Sequence, residues 1–227
     1  MIVAGCDVGS TTGKAVIMKD HTIAASTMMW CKPRPEETAH IAITEAMQKI
    51  DLSSLDELDY IVGTGYGRLK IPFANDNISE ITCHGVGAYW LCNSVRTIID
   101  IGGQDLKVIG LDDSGKVIDF IMNDKCAAGT GRFLENMARV LGLTLEELST
   151  ISLEATKPAV ISSQCSVFAE SEVITLLNQG EEIANIANAI HASIASRLLT
   201  MVRRVGAQSD ITFSCCNLFL SSSPLSS

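Results

Sequence analysis

One sequence pattern occurs twice in this chain, and the repetition limits the folds that the chain can adopt. Each copy consists of an apolar strand, an aspartate, an apolar residue, a glycine, a polar turn, a lysine and a second apolar strand. The first copy places its charges at Asp7 and Lys14, and the second at Asp100 and Lys107. Each copy predicts a β-hairpin, and an internal duplication of this kind predicts two related lobes that face one another across a cleft.

The turn of the first hairpin, residues 9–13, has a composition that suits phosphate binding. Its glycine, serine and threonine residues offer backbone N–H groups and hydroxyl groups. It is not a Walker loop, because the interval between its glycines is too short and Ala15 replaces the Ser or Thr that should follow the lysine. An ordinary hairpin with a polar turn explains this single stretch equally well. As a pair, the two turns can clamp a triphosphate, with Asp7 and Asp100 holding Mg²⁺ through water.

Two of the eight cysteines lie in matching sequence frames. Cys126 follows a predicted strand at 115–122 and precedes small residues and a helical pattern at 133–141. Cys165 follows a predicted strand at 158–161 and also precedes a helical pattern. A helix N-terminus favours a thiolate, since its free N–H groups and its dipole stabilise negative charge. With no CxxC pair in the sequence, the two cysteines are interpreted as half of an iron–sulfur site.

Length and charge narrow the class of protein. At 227 residues the chain can form one large or two small domains. We expect a first lobe with the first phosphate turn at 1–95, a second lobe with the second phosphate turn and the cluster cysteines at 96–213, and a Ser-rich tail at 214–227. A net charge of −9 without a Lys/Arg run argues against a nucleic-acid partner. No apolar run suits a membrane span and no export signal precedes the first strand, so we expect a cytoplasmic protein.

Apolar periodicity predicts the remaining elements. In the last of the predicted helices, acidic residues in the first turn and basic residues in the last turn match the helix dipole. Adjacent Cys215 and Cys216 are interpreted as part of the tail and not as metal ligands. The expected helices cover residues 35–50, 78–91, 145–150 and 180–204, and further strands cover 21–29, 60–63 and 210–213. The glycine-rich turn at 64–68, which follows one of these strands, predicts unusual backbone angles.

Six sequence motifs together resemble those of the activator (component A) ATPases of 2-hydroxyacyl-CoA dehydratases, a family that includes ATPase subunits of benzoyl-CoA reductase. The resemblance spans nearly the whole chain up to about Phe213. It implies an α/β fold with the two ribonuclease H-like lobes of the actin, hexokinase and Hsp70 type. It also implies a homodimer that shares one [4Fe–4S] cluster between Cys126 and Cys165 of each subunit. The motifs cover residues 7–11, 64–68, 79–84, 100–105 and 123–133, and Cys165 with 168–172.

The resemblance also implies a function and a set of site residues. Reduced ferredoxin or flavodoxin would load the cluster, ATP hydrolysis would change the lobe angle, and the electron would pass to a 2-hydroxyacyl-CoA dehydratase component or a benzoyl-CoA reductase-type partner. Catalytic roles with ATP and Mg²⁺ fall to Asp7, Asp100 and Gln104, and the cluster ligands are Cys126 and Cys165. The residues implied to bind the nucleotide are Gly9, Ser10, Thr11, Lys14, Gly102, Gly103 and Gln104.

One departure from the family pattern concerns the end of the second lobe. Members continue from a strand like 211–213 into a Gly-Gly turn and an Asn that border the adenine, whereas Cys215, Cys216 and Asn217 stand here. We therefore expect a fold that is incomplete at its C-terminus. Two alternatives stay open, a small-molecule kinase of the same superfamily and an inactive truncated homologue. The matched cysteines argue against the kinase, and nucleotide titration separates the inactive homologue from the other two.

Overall fold

The computed structural model describes residues 1–123, 128–157, 159–161 and 166–215. The chain divides into two compact units, Met1–Leu91 and Cys92–Ser227. Each unit contains a mixed β-sheet flanked by helices, and each is described by itself below.

The first unit is built on a sheet with the strand order β3-β2-β1-β4-β5. Strands β1, β2 and β3 pair antiparallel, whereas β4 runs parallel to β1 and β5 parallel to β4. A parallel pair needs a crossover connection, and helix α1 supplies it between β3 and β4. The bounds are β1 Ile2–Val8, β2 Thr12–Lys19, β3 Thr22–Trp30, α1 Pro35–Gln48, β4 Tyr60–Thr64, β5 Asp76–Asn77 and α2 Glu80–Leu91, with short 3₁₀ turns at Leu55–Glu57 and Arg68–Lys70.

Helix α1 closes one face of this sheet. Pro35 occupies its first turn, where the missing N–H group costs nothing. Ala42, Ile43 and Ala46 are fully buried on one side of the helix and pack with Ile17 of β2. Small and β-branched side chains therefore let the helix lie close to the sheet and fix the position of β1.

The second unit repeats this plan with a sheet of order β8-β7-β6-β9 in the described part of the chain. Strands β6, β7 and β8 pair antiparallel, and β9 runs parallel to β6. Four helices pack into one apolar cluster beside the sheet, and their buried side chains include Phe133, Met137, Val173 and Ile190. The bounds are β6 Thr97–Ile101, β7 Leu106–Leu111, β8 Val117–Asn123, α3 Gly131–Leu141, α4 Leu145–Ser152, α5 Ser166–Asn178, α6 Ile183–Val205 and β9 Ile211–Cys215.

The strand predicted at 158–161 is wrong for the residues that the structure describes there. Residues 159–161 form no strand, and Pro158 lies outside the described residues. A run this short becomes a strand only beside a backbone with which it can pair. Ile161 packs instead against the helical cluster, and Val160 is 75% exposed. The acidic residues Glu181 and Glu182 also differ from prediction, because they precede α6 and do not lie in its first turn.

The other predicted helices and strands are confirmed, including the two hairpins. Asp7 of β1 pairs across the hairpin with Lys14, and Asp100 of β6 pairs with Lys107. The two hairpins therefore share their strand register as well as their sequence pattern.

Because of Cys6 in β1, the free energy of unfolding of the first unit decreases with rising pH in the alkaline range. Its side chain is fully buried, and burial together with the nearby charge of Asp7 raises the pKa of the thiol to about 12. The thiol of an unfolded chain ionises near its ordinary value of 9.0. The contribution of Cys6 to the free energy of unfolding is therefore fully present below that value and is lost as the pH rises towards 12.

We expect the stability difference between wild type and Cys6→Ala to shrink by about 2 kcal/mol between pH 9 and pH 11. Denaturant unfolding of both proteins across this range measures the change. Cys92→Ala is the control, since the Cys92 thiol is exposed and its hydrogen bonds with Ser94 lower its pKa. A Cys6→Ala difference that stays constant with pH would contradict the assignment.

Candidate functional site

In the first unit, the candidate site residues lie where β1 ends. Asp7 faces Lys14 across the hairpin, and the Lys14 Nζ donates to Oδ2 of Asp7 at 3.1 Å. Both side chains are about one quarter to one third exposed. The strand register thus places a carboxylate and an ammonium group together beside the turn.

The turn between β1 and β2 has a backbone arrangement that can hold an anion. The N–H group of Gly9 donates to the carbonyl oxygen of Thr12 at 3.0 Å and closes the turn. Cys31 donates to the carbonyl oxygens of Gly9 and Thr11. The backbone N–H groups of Ser10 and Thr11 have no hydrogen-bond acceptor among the described residues. Two successive free N–H groups form a concave donor site of the kind that binds phosphate oxygens.

The second hairpin carries the same turn. The N–H group of Gly102 donates to the carbonyl oxygen of Asp105 at 2.9 Å, as Gly9 does in the first unit. The N–H groups of Gly103 and Gln104 likewise have no acceptor in the part of the chain that the structure describes. Gln104 is exposed, so its side-chain amide is accessible at this turn. Both turns therefore present paired donors suited to phosphate.

Asp100 is held more firmly than Asp7. Lys107 Nζ lies 3.3 Å from Oδ2 of Asp100 and 2.7 Å from Oδ1 of Asp105. The Ser214 hydroxyl of β9 donates to Oδ1 of Asp100 at 2.7 Å. Burial lowers the pKa of Lys107, but the charges of Asp100 and Asp105 and their hydrogen bonds raise it, and the net pKa lies above the ordinary value. Lys107 therefore stays charged and neutralises a buried carboxylate.

Gly65 brings the turn after β4 into contact with Asp7. Its φ is +86°, and a Cβ atom built there would lie 2.2 Å from Oδ1 of Asp7 and 2.6 Å from the carbonyl oxygen of Val8. Gly67 donates its N–H group to the same Val8 oxygen at 2.8 Å. The unusual backbone angles predicted for this glycine-rich turn are confirmed at Gly65. Only glycine combines this conformation with so close an approach to the carboxylate.

The second turn is also bonded to the start of helix α3. The N–H groups of Gly131 and Arg132 donate to the carbonyl oxygens of Gly102 and Gly103 at 2.9 and 3.0 Å. A Cβ atom on Gly131 would lie 3.5 Å from the Gly102 oxygen. Local sequence patterns give no sign of this contact, because the bonded residues are far apart in the chain. It connects the candidate phosphate turn to the helix that begins after Cys126.

Helix α6 approaches the same region from another side. Gly129 has a φ of +90°, and a Cβ atom there would lie 3.3 Å from Cδ of Arg197 and 3.6 Å from Cδ2 of Leu106. Ala128 beside it is buried. Gly129 is therefore packed closely between α6 and β7. The sequence singled out Gly129 only as one of several small residues.

The two predicted cluster ligands, Cys126 and Cys165, lie outside the described residues. The described chain resumes at Ala128 after the first cysteine, and α5 begins at Ser166 directly after the second. Among the residues that are described, no group of three or more His, Cys, Asp or Glu side chains could hold a metal ion. The roles of these cysteines, and of the predicted nucleotide-binding residues, stay predictions.

Comparison with known proteins gives consistent matches over almost the whole chain. The model of the BadF/BadG/BcrA/BcrD ATPase family matches residues 4–218. The activator of lactoyl-CoA dehydratase from Anaerotignum propionicum is 46% identical over 211 residues, which are 93% of this chain and 81% of that protein.

Two solved structures are similar to the described fold. Component A of (R)-2-hydroxyglutaryl-CoA dehydratase from Acidaminococcus fermentans has a TM-score of 0.88 at 39% identity, covering 95% of this chain and 83% of that one. The activator of 2-hydroxyisocaproyl-CoA dehydratase from Clostridium difficile, solved with bound ADPNP, has a TM-score of 0.86 at 40% identity, covering 95% and 80%. The predicted two-lobed α/β ATPase fold is confirmed. No helix within the described ranges is long and apolar enough to cross a membrane.

The contact between Gly65 and Asp7 predicts a specific sensitivity to substitution. We expect Gly65→Ala to destabilise the first unit by roughly 1–3 kcal/mol, because the methyl group meets the Asp7 carboxylate in a left-handed backbone conformation. Thermal and denaturant unfolding measure the loss.

Gly87→Ala is the matched control for this substitution. Gly87 lies inside α2, and a Cβ atom added to it would have nothing within 4 Å, so alanine should stabilise the helix by about 0.5–1 kcal/mol. The interpretation of Gly65 fails if Gly65→Ala is as stable as the wild type.

Proposed function

This chain belongs to the BadF/BadG/BcrA/BcrD ATPase family, and from that premise we propose that it is an ATP-driven activator that delivers electrons to a 2-hydroxyacyl-CoA dehydratase. The observation that carries the proposal is the bonding of the second phosphate turn to the start of α3. A nucleotide held at that turn is one hydrogen bond away from the helix that follows Cys126.

The nucleotide-binding part of the proposal rests on the two matched turns. The free N–H groups of Ser10 and Thr11, and of Gly103 and Gln104, are suited to phosphate oxygens. Gly9 and Gly102 close the two turns, and Lys14 can exchange its carboxylate partner for a phosphate.

The carboxylates of Asp7 and Asp100 are the groups that we assign to Mg²⁺, through its water ligands. Mg²⁺ prefers oxygen ligands and keeps several of its waters, so two carboxylates and a triphosphate suffice to hold it. Gln104 is exposed on the second turn, and its side chain can orient the water that attacks the terminal phosphate. Phosphoryl transfer of this type depends mainly on positioning and on charge stabilisation.

The iron–sulfur part of the proposal rests on donor chemistry and on helix ends. Cys126 and Cys165 from each of two subunits supply the four thiolates that a [4Fe–4S] cluster requires, and such a cluster supplies one-electron chemistry at low potential. Helices α3 and α5 begin at Gly131 and Ser166, so both cysteines precede a helix N-terminus that favours negative charge.

The proposed partners follow from the relatives. The names of the similar proteins describe activators of 2-hydroxyacyl-CoA dehydratases and, at 33% identity, a subunit of benzoyl-CoA reductase. We assign this chain a partner enzyme of the same class, a homodimeric state that assembles the four thiolates, and ferredoxin or flavodoxin as reductant.

A pair of variants tests the proposal by separating the two sites. We expect Asp100→Asn to abolish ATP hydrolysis and to retain about four irons per dimer in protein purified without oxygen. The asparagine can still accept the Ser214 hydrogen bond, and Lys107 keeps Asp105 as its counter-charge, so the fold should survive.

Cys165→Ser should give the opposite result, with iron lost and binding of Mg·ADPNP retained. Cys92→Ser is its control, because Cys92 is exposed and belongs to neither site. Full iron in Cys165→Ser, or unchanged turnover in Asp100→Asn, would overturn the assignment. Phosphorylation of a small molecule by iron-free protein would support the kinase alternative.

A further inference from the structure

Thr64 carries a buried hydroxyl group that the fold itself does not use. It is the last residue of β4, and its Oγ1 atom is inaccessible to solvent and has no hydrogen-bond partner in the described part of the chain. Buried hydroxyl groups are normally bonded, because losing water without gaining a partner is unfavourable. An unused donor of this kind calls for an explanation.

The strand register places this hydroxyl beside Asp7. Thr64 pairs with Asp7 across the parallel strands β1 and β4. Paired residues of neighbouring strands project to the same face of a sheet, and their strands lie about 4.8 Å apart. Oδ2 of Asp7 accepts a hydrogen bond from Lys14, whereas no donor reaches its Oδ1 within the described ranges. A free donor and a free acceptor therefore lie side by side.

The second unit shows what the equivalent pair does. Ser214 of β9 pairs with Asp100 of the neighbouring parallel strand β6, as Thr64 pairs with Asp7. Its hydroxyl donates to Oδ1 of Asp100 at 2.7 Å. The duplicated fold thus contains the same hydroxyl–carboxylate pair twice, bonded in the second unit and unbonded in the first.

We propose that Thr64 is a positioning residue for Asp7, whose hydroxyl donates to Oδ1 of the carboxylate when Mg·ATP binds. This inference rests on the proposed function, in which Asp7 holds the hydrated Mg²⁺. The salt bridge joins Lys14 to Asp7. The hydrated metal competes for the Asp7 carboxylate and the phosphates compete for the Lys14 ammonium group, so the carboxylate is released from the orientation that Lys14 imposes. Thr64 then fixes the new orientation, as Ser214 already does for Asp100.

A bond made only in the bound state affects binding and folding differently. Removing the Thr64 hydroxyl should weaken Mg·ATP binding, because the bonded carboxylate exists only in that complex. The same change should leave the unliganded protein as stable as before or more stable, since it removes a buried group without a partner. A purely structural threonine would show the reverse.

The test compares Thr64→Val and Thr64→Ser with the wild type. Thermal unfolding without nucleotide and calorimetric titration with Mg·ADPNP are the two readouts. We expect Thr64→Val to keep or raise the melting temperature and to bind Mg·ADPNP roughly tenfold more weakly. Thr64→Ser keeps the hydroxyl and should bind within about threefold of the wild type.

Thr27→Val is the matched control. The Thr27 hydroxyl is also buried in this sheet, but it donates to the carbonyl oxygen of Ala42 at 2.7 Å. Its loss should lower the melting temperature and leave the affinity for Mg·ADPNP unchanged.

The outcomes separate this inference from the function on which it rests. Wild-type affinity in Thr64→Val, or a fall in its melting temperature like that of Thr27→Val, would overturn the role of Thr64 alone. A wild-type protein that does not bind Mg·ADPNP would overturn the proposed function and this inference together.

Discussion

A carboxylate and an ammonium group face each other across the first hairpin of both units, and the candidate site depends on this pairing. The antiparallel register that joins Asp7 to Lys14, and Asp100 to Lys107, also fixes the length of the turn between them. Each turn is closed by one glycine N–H group, and the next two N–H groups are left without acceptors in the described part of the chain. Charge neutralisation in the strands and the paired N–H donors in the turn thus come from one local structure.

The two copies have different surroundings. The pair in the second unit is almost fully buried, and such a pair is tolerated only where hydrogen bonds satisfy its remaining atoms. Ser214 and Asp105 satisfy them. The pair around Asp7 is partly exposed and incompletely bonded. We infer that the second unit offers a rigid turn attached to α3, and that the first unit carries the carboxylate that can reorient.

Most elements that depend on local pattern could be predicted from the sequence. The repeated order of apolar strand, aspartate, glycine, polar turn and lysine predicted the hairpins, and the glycine-rich turn at 64–68 predicted an unusual backbone at Gly65. The run at 158–161 was misread because its apolar residues satisfy a strand pattern without having a neighbouring strand. The bonds from Gly131 and Arg132 to the second turn could not be predicted, since they join distant segments through backbone atoms that carry no sequence signal.

We propose that the start of α3 senses a nucleotide bound at the second turn. Amide hydrogen exchange of residues 128–141, with and without saturating Mg·ADPNP, tests it most directly, because the N–H groups of Gly131 and Arg132 make the connecting bonds. The account predicts that Mg·ADPNP slows exchange at the beginning of α3 and leaves its last turn unchanged. Exchange at Gly131 and Arg132 that does not respond to bound Mg·ADPNP would contradict the account.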